Sequence, residues 1–245
     1  IGMIQGGSGT LNVNAAMDAG AFNTLDEVAV SDGNTLTMTT EADNTTKAVT
    51  LTGSGTLNLH EANLVVDYDD PDNPIDEIAA AVKSAWNSGT WDGAGITCNG
   101  DTGTYALGVA DNADPDFAQR AYLEDDTVSV DADSVLVRYT YYGNANLDDR
   151  VDAADLSKLL GNFGSIEADP DDIMAWYLGN FNYDDRVDAA DLSKLLGNFG
   201  QIETGGTGEP PAGLGGGMAA TPEPATLALL ALGAGAMLAR RRRRY

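Results

Sequence analysis

The feature that most constrains this chain is a 17-residue stretch, DDRVDAADLSKLLGNFG, that occurs twice without a single change. The first copy runs from Asp148 to Gly164 and the second from Asp184 to Gly200, so the two are offset by 36 residues. A repeat of this length constrains architecture before local propensity does, because each copy forms the same supersecondary unit. Whatever structure one copy adopts, the fold must contain it twice.

Each copy begins inside a 12-residue segment, 144–155 or 180–191, in which oxygen-bearing side chains recur at loop positions 1, 3, 5, 9 and 12. Calcium takes about six to eight oxygen ligands, and alternate residues of a tight loop can point inward together. Position 7 supplies its backbone carbonyl, so an arginine is acceptable there. This is the spacing of EF-hand-like loops, and it predicts two Ca²⁺ ions. The predicted ligands are Asn144, Asn146, Asp148, Arg150, Asp152 and Asp155 in the first loop, and Asn180, Asn182, Asp184, Arg186, Asp188 and Asp191 in the second.

Behind each loop, apolar residues recur at i, i+3, i+4 and i+7, which predicts one apolar face of a short helix. Neither helix is long enough to be stable alone. We therefore expect the two helices to pack antiparallel and to bury each other's apolar stripe. The stripes are Leu156, Leu159, Leu160 and Phe163 in the first unit, and Leu192, Leu195, Leu196 and Phe199 in the second.

The two loop-helix units, over about Gly143 to Gly200, resemble the type I dockerin module. The phrases YGNANLDDRVDAADLSKLLGNFG and LGNFNYDDRVDAADLSKLLGNFG carry this resemblance, which implies two F-hand calcium loops and a cohesin-like partner. Similar dockerin-like tails behind strands occur in planctomycete surface proteins. Unlike an EF-hand, the first unit is preceded by the strand-like run VLVRYTYYG rather than by a helix.

Three positions depart from the dockerin pattern. Position 1 is Asn in place of the usual Asp, and position 6 is Asp149 or Asp185 in place of Gly, where positive φ is needed. These two changes predict weak affinity, at roughly 10⁻⁴ to 10⁻³ M. Positions 10 and 11 are alanines rather than the hydroxyl residues that contact cohesin, which argues against a cellulosomal partner. The alternative is that both loops are degenerate acidic turns that bind no metal.

Strand signals dominate residues 1–68, where Thr-Leu pairs starting at 10, 35 and 56 each begin an alternating run after a glycine turn. Steps of 25 and 21 residues could each hold about three short strands, which predicts β-solenoid-like repeats. A meander or a sandwich is compatible with the same pattern. The phrases GSGTLNV and GSGTLNL also resemble the autotransporter-associated β-strand repeats of surface proteins.

Residues 69–142 continue the β-rich body around one amphipathic helix. Apolar residues at 75, 78, 79, 82 and 86 follow helical spacing, with Pro74 before the start and Gly89 beyond the end. Later runs, such as Ser134 to Tyr142, are typical of strands. The last of them leads directly into the first loop.

Charge and composition exclude several functions. The net charge is −25, and residues 1–239 carry eight basic against 38 acidic groups, which repels nucleic acid and attracts cations. One cysteine, Cys98, excludes an internal disulfide, and one histidine, His60, removes most catalytic triads and zinc sites. No compact catalytic constellation is found, so we predict that this chain is not an enzyme.

The C-terminal segment predicts a sorting signal. Residues 201–221 form a Gly/Pro-rich linker, and residues 222–245 hold Pro222, Glu223 and Pro224, then 15 uncharged residues, then five arginines. As a helix, the uncharged segment would span about 22 Å, which predicts a short transmembrane helix with its arginines in the cytoplasm. This order resembles a PEP-CTERM signal, which implies processing by an exosortase-type enzyme. A plain tail anchor is the alternative.

Together these patterns predict a mainly β protein made of a β-solenoid-like body, a small helical dockerin-like module at 143–200, a linker and a C-terminal membrane helix. The predicted function is that of an exported surface structural or interaction protein, transiently anchored in the inner membrane. The alternative is a non-catalytic or truncated component of an extracellular polysaccharide-degrading system, which would favour a cell-surface polysaccharide partner. The first residue is Ile1, so we expect the N-terminus to be processed or truncated.

Overall fold

The structure is a computed structural model that describes residues 4–5, 9–69, 71–117, 128, 130–167, 175–184 and 186–203. All of them belong to one compact unit, Ile1–Gly208; the remaining unit, Glu209–Tyr245, lies outside the described residues. The strands are β1 (Ile4–Gln5), β2 (Thr10–Val13), β3 (Met17–Ala19), β4 (Phe22–Asn23), β5 (Glu27–Val30), β6 (Thr35–Met38), β7 (Asp43–Thr46), β8 (Val49–Leu51), β9 (Thr56–Asn58), β10 (Asn63–Asp67), β11 (Gly95–Thr97), β12 (Tyr105–Asp111) and β13 (Ser134–Tyr141). The α-helices are α1 (Ile75–Trp86), α2 (Ala153–Asn162) and α3 (Ala189–Asn198), with 3₁₀ turns at Asn87–Gly89 and Trp176–Leu178.

Short parallel strands form the N-terminal half of the described chain. They make sheets with the orders β2-β5-β8, β3-β6-β9-β11 and β1-β4. Val28 pairs with Val49, and Thr35 pairs with Thr56, a step of 21 residues in both sheets. The Thr-Leu pairs at 35 and 56 are therefore neighbours in one sheet. The pair at Thr10 is not equivalent to them, because β2 pairs with β5 in a different sheet.

Alternation of side chains along these strands buries one face of each. The inward side chains of β5, β6 and β9 are almost completely buried, while their neighbours are partly exposed. A buried amide in β7 satisfies backbone groups of neighbouring strands: Asn44 accepts from the Phe22 N–H at 2.9 Å and donates to the Asn63 carbonyl at 3.0 Å. This amide is thus paired inside the core.

Helix α1 covers the predicted residues and interrupts the parallel strands. Ile78, Val82 and Ala85 are its buried residues, and it packs against β11. A Cβ at Gly95 would lie 2.1 Å from the Ala81 carbonyl oxygen, so glycine permits this close approach of helix and strand. Asn87 ends the helix in a left-handed conformation.

A mixed sheet, β12-β13-β10-β7, connects the parallel strands to the duplicated units. Strand β13 pairs antiparallel with both β10 and β12, whereas β10 pairs parallel with β7. Six of the eight residues of β13 are buried. Because β13 ends at Tyr141, three residues before Asn144, the core of this sheet positions the first loop.

The predicted fold class is wrong. The described strands form four separate sheets of two to four strands, no closed solenoid is formed by them, and three α-helices pack with these sheets. The regular step of 21 residues between paired strands is lost for two reasons. Helix α1 lies between β9 and β11, so their paired residues Thr56 and Gly95 are far apart in sequence. Strands β12 and β13 then pair antiparallel.

The predicted fold class also included a small helical module and a membrane helix. One cluster of buried side chains extends from Val13 in β2 to Leu195 in α3, so the duplicated units share the core of the sheets. Within the described ranges, no helix combines the length and the apolar composition needed to cross a membrane. The predicted membrane helix at 222–245 lies outside those ranges.

Candidate metal centre

The duplicated units have the same local structure, because the same residues cap the same helix. Asp152 is the N-cap of α2 and accepts from the Ala154 N–H at 2.7 Å; Asp188 is the N-cap of α3 and accepts from the Ala190 N–H at 2.7 Å. In both capping boxes the carboxylate at position 12 accepts from the N-cap backbone. Position 9 therefore starts the helix, and position 12 connects the helix to the loop.

The interior of the first loop is lined by the predicted oxygen donors. The Asp148 N–H lies 3.0 Å from the Asn144 Oδ1 and 3.1 Å from the Asn146 Oδ1, and Asp148 Oδ1 accepts from the Arg150 N–H at 3.2 Å. Asp155 Oδ1 reaches back to the backbone N–H groups of residues 145 and 146, at 2.8 and 3.2 Å. The structure thus brings loop positions 1, 3, 5, 7 and 12 together.

The second loop repeats part of this arrangement. Asp184 N–H donates to Asn182 Oδ1 at 3.1 Å, Asp184 Oδ1 accepts from Arg186 N–H at 2.9 Å, and Asp191 Oδ1 accepts from the N–H of residue 181 at 2.8 Å. At position 1, however, the Asn180 amide group donates to the Asp184 carbonyl, whereas the Asn144 amide group donates to the Thr140 hydroxyl. The amide at position 1 is therefore oriented by different neighbours in the two loops.

The backbone at position 7 is oriented by the opposite unit. Val151 N–H donates to the Gln201 carbonyl at 3.1 Å, and Val187 N–H donates to the Ser165 carbonyl at 3.1 Å. Because the C=O and N–H of one trans peptide point in opposite directions, the carbonyls of Arg150 and Arg186 point away from these partners.

The two units interlock symmetrically. Gly143 and Gly179 precede the loops with φ of 103° and 104°. A Cβ at Gly143 would lie 2.7 Å from the Leu195 Cα, and a Cβ at Gly179 would lie 2.8 Å from the Leu159 Cα, in each case in the opposite unit. Antiparallel bridges join Arg150 to Ile202 and Ile166 to Arg186. Each loop is thus closed by the segment that follows the other loop's helix.

Only part of each predicted apolar stripe is buried. Leu159 and Leu195 are completely buried, but Leu160, Phe163, Leu196 and Phe199 are exposed by 40 to 49%. The expectation that the two stripes cover each other is wrong for these four side chains. Helix α2 contacts α3 and the Trp176–Leu178 turn through one side only, because the interlock brings the backbones together at the turn that contains Leu159 or Leu195.

The carboxyl groups at position 12 are the most unusual electrostatic feature of both loops. Asp155 and Asp191 are completely buried, and burial raises the pKa of each to about 6. Both carboxylates accept hydrogen bonds from backbone N–H groups. Burying an ionised carboxylate is costly unless a cation or several donors compensate its charge.

The donor set suits a hard cation such as Ca²⁺, which prefers carboxylate, amide and carbonyl oxygens. Within the described ranges, no group of three or more Asp, Glu, His or Cys side chains is arranged to hold a metal ion. A site in either loop therefore depends on asparagine and backbone oxygens as well as on carboxylates. Such a mixed, weakly charged donor set fits a low-affinity calcium loop.

Two groups of residues that hold the loops were not predicted. Arg138 and Glu203 form an ionic network under the first loop, and Tyr183 packs the second loop into an aromatic cluster. A charged residue inside the otherwise apolar run SVLVRYTY was the available signal for Arg138. For Glu203 the signal was the phrase QIE, which follows Gly200 as SIE follows Gly164.

Comparison with known proteins identifies the C-terminal segment. Residues 220–244 match a family model described as a PEP-CTERM protein-sorting motif, and this range contains Pro222, Glu223 and Pro224. No curated protein and no solved structure matches the chain.

This match indicates how the protein is sorted. A PEP-CTERM motif marks an exported, membrane-associated protein that is sorted to the cell surface through an exosortase-type pathway, and it implies processing by an exosortase-type enzyme. The residues of the motif lie outside the described residues.

Proposed function

We propose that this exported protein is a non-enzymatic surface protein whose two dockerin-like loops each bind one Ca²⁺, and that the cations stabilise the whole described body. The observation that carries the proposal is the pair of completely buried carboxylates, Asp155 and Asp191, each at position 12 of a loop whose other predicted donors lie around it. A bound divalent cation would compensate two charges that are otherwise costly to bury.

The residues that would hold each cation are the asparagines at positions 1 and 3, the aspartates at positions 5 and 12, and the carbonyl at position 7. Position 9 already caps a helix through one carboxylate oxygen, so it would contribute through its other oxygen or through water, as is common in such loops. When bound, the cation supplies positive charge and fixes the loop. The chain itself supplies the preformed backbone.

The loops are part of the body's core, which is why we expect calcium to act on the whole unit. Ala145 and Leu147 in the first loop and Phe181 and Tyr183 in the second are buried. A Cβ at Gly108 in β12 would lie 2.5 Å from Leu147 Cδ2, so β12 and the first loop are in direct contact. Ordering either loop therefore orders the sheet beneath it.

The test uses the purified full chain in chelator and in about 10 mM CaCl₂. At a Kd of roughly 10⁻⁴ to 10⁻³ M, each site should raise the free energy of unfolding by about 1.4 to 2.7 kcal/mol, and calorimetric titration should count two ions. The control is the double variant Asp155→Asn with Asp191→Asn, which keeps the side-chain size, removes both charges and replaces one accepting oxygen of each carboxylate with an NH₂ donor. Identical melting of the wild type with and without calcium would refute the proposal.

Cys98 offers a second, local readout of the same effect. It is the chain's one cysteine, it lies just beyond β11, and burial raises the pKa of its thiol, so it reacts only when the body opens. Calcium should slow its labelling by a thiol reagent in the wild type and not in the double variant. Equal labelling rates would show that the loops do not stabilise the sheets.

We also propose that the duplicated units contact a protein partner. The large apolar side chains that are exposed among the described residues all belong to these units: Leu160, Phe163, Ile166, Leu196, Phe199 and Ile202. The alanines at positions 10 and 11 are exposed and offer no hydroxyl group, so a cohesin-like partner would have to be recognised through apolar contacts. The variant Leu160→Asp with Leu196→Asp should weaken such binding in a pull-down with a purified cohesin-like domain, while leaving the melting temperature unchanged.

A further inference from the structure

Beneath the first loop lies a completely buried arginine. Arg138 in β13 has no exposed side-chain surface, and its guanidinium donates to the Leu147 carbonyl at loop position 4 and to Asp149 Oδ1 at loop position 6, the latter at 2.5 Å. A second carboxylate, Glu203 Oε2, lies 3.8 Å from the same guanidinium. One arginine thus connects two positions of the first loop to the core of the sheet.

Glu203 extends this network to the segment after α3. Its carboxylate accepts from the Tyr141 N–H at 3.1 Å and from the Thr140 hydroxyl, and its own backbone N–H donates to the Asp149 carbonyl at 2.8 Å. Asp149 is therefore held through its side chain by Arg138 and through its backbone by Glu203.

Position 6 is the place in the loop where this fixation matters. Asp149 has φ of 71°, a left-handed conformation that costs a non-glycine residue about 1 kcal/mol. Its carboxylate is not one of the predicted ligands. Paired with Arg138, it is kept out of the loop interior, and its negative charge is compensated by the arginine and not by the cation.

In the sequence, the second unit carries no arginine at the place that corresponds to Arg138. The residue 36 positions after Arg138 is Met174, although the residues around position 6, DDRVD, are identical in both loops. The second loop is instead packed through Tyr183, whose ring lies 5.7 Å from Trp176 and 6.0 Å from Trp86, measured between centroids. The two loops thus have the same ligands but different supports.

From this contrast we infer that Arg138 is a positioning residue that preforms the first loop for a divalent cation through the ion pair at position 6, and that the second loop, with Met174 at the corresponding place in the sequence, does not use this support. The inference rests on the proposed calcium function. Preorganisation of a site raises affinity by lowering the cost of ordering it, without any contact between Arg138 and the ion.

The experiment measures each loop alone in the full chain. In an Asp191→Asn background only the first loop retains its position 12 carboxylate, and Asp149→Asn should then lower calcium affinity about tenfold, as expected for loss of a charged hydrogen bond. In an Asp155→Asn background, the matched variant Asp185→Asn should change the affinity of the second loop by less than about threefold. Calorimetric titration with CaCl₂ measures the calcium affinity in both backgrounds.

Arg138→Met in the Asp191→Asn background should lower the affinity of the first loop at least as much as Asp149→Asn does. If that variant does not fold, the comparison of Asp149→Asn with Asp185→Asn still decides the question. If the ion pair only stabilised the fold, Asp149→Asn and Asp185→Asn would lower the calcium affinities of their loops equally. Equal effects would therefore overturn the inference and leave the calcium function intact. Absence of calcium binding in both backgrounds would overturn the calcium function and the inference with it.

Discussion

The two loops differ in what lies behind them and agree in nearly everything else. Both have the same caps, a position 12 carboxylate that accepts from the position 2 N–H and from the N-cap N–H, and a preceding glycine with φ near 104°. The first loop is supported by an ionic network around Arg138, and the second by the rings of Trp86, Trp91 and Trp176. Identical sequence therefore reproduces local geometry, while the surrounding core decides how each copy is stabilised.

The largest expected effect is at position 4, where the two loops carry Tyr183 and Leu147. Tyr183 is almost completely buried, donates to the Leu107 carbonyl and packs against three tryptophans. Tyr183→Ala should lower the free energy of unfolding by about 3 to 5 kcal/mol, and Leu147→Ala by less, about 2 to 4 kcal/mol. Urea unfolding checks both, and Tyr183→Phe should cost about 1 kcal/mol for the hydroxyl alone. An equal or larger loss for Leu147→Ala would contradict the view that the rings are the stronger support.

Substitution of the two interlock glycines should have nearly equal effects, because this part of the structure is symmetric. Gly143→Ala and Gly179→Ala each add a Cβ within 2.8 Å of a helix Cα and force a positive φ on alanine. We expect a loss of about 2 to 4 kcal/mol for each, from overpacking and backbone strain. Thermal melting of both variants in chelator measures this loss of stability.

The matched controls are Gly161→Ala and Gly197→Ala. A Cβ at either glycine meets no atom within 4 Å, and both residues lie in helices, so these variants should stabilise the protein by about 0.5 to 1 kcal/mol. A large difference between the Gly143 and Gly179 variants would mean that the two halves are not held symmetrically.

The position 12 carboxyls should contribute equally to the pH dependence of the calcium-free protein. Burial raises the pKa of Asp155 and of Asp191 to about 6 from 3.8, so the folded state binds protons more tightly than the unfolded state. Their stabilising contribution is fully present below pH 3.8 and is lost as the pH rises through 6, by on the order of 2 kcal/mol for each group.

This contribution can be isolated by subtraction. In chelator, the free energy of unfolding of the wild type should fall more between pH 4 and 7 than that of Asp155→Asn or Asp191→Asn. Each single variant should abolish about half of the pH-dependent loss that the two carboxyls cause together. Calcium binds the ionised form, so its affinity should rise over the same pH interval. A pH profile that is unchanged in both variants would show that these carboxyls do not titrate near 6.

The smallest expected difference is between the lysines of the two helices. Lys194 lies 3.6 Å from the centre of the Tyr142 ring and donates to the Thr102 carbonyl, whereas Lys158 donates to the Asp116 carbonyl and, among the described residues, lies over no ring. Lys194→Ala should therefore cost about 1 kcal/mol more than Lys158→Ala, because a cation over an aromatic face is worth about that much when partly desolvated. Urea unfolding of the two single variants would measure the difference, and equal costs would exclude a contribution from the ring.

The elements specified by local patterns were predicted well. Helix α1 covers the predicted residues, strands begin at each Thr-Leu pair, and both predicted helices of the duplicated units are present, although each begins at position 10 of its loop. These features depend on spacing within about a dozen residues. Turn chemistry, caps and side-chain periodicity act over that range, so the sequence displays them directly.

Features that depend on distant partners were not predicted. Thr10 matches Thr35 in local sequence but belongs to another sheet, because strand pairing is decided by contacts across the fold. Strand β13 pairs with β10, about 70 residues earlier, and converts the parallel pattern into a mixed sheet. Arg138 was not predicted as a core residue, because a charged side chain is expected to be exposed unless its partner is known, and Glu203 lies 65 residues away.

The attachment of Glu203 has a mechanical consequence for a protein whose C-terminal residues carry a surface-sorting signal. The chain enters the tail from a residue whose backbone and carboxylate are both fixed, beside the bridge between Arg150 and Ile202. Tension applied through the tail would load these bonds, and through them strand β13, before it could peel helix α3 from the body. A single-molecule pulling experiment would therefore meet its main resistance at this anchor and not at the last helix.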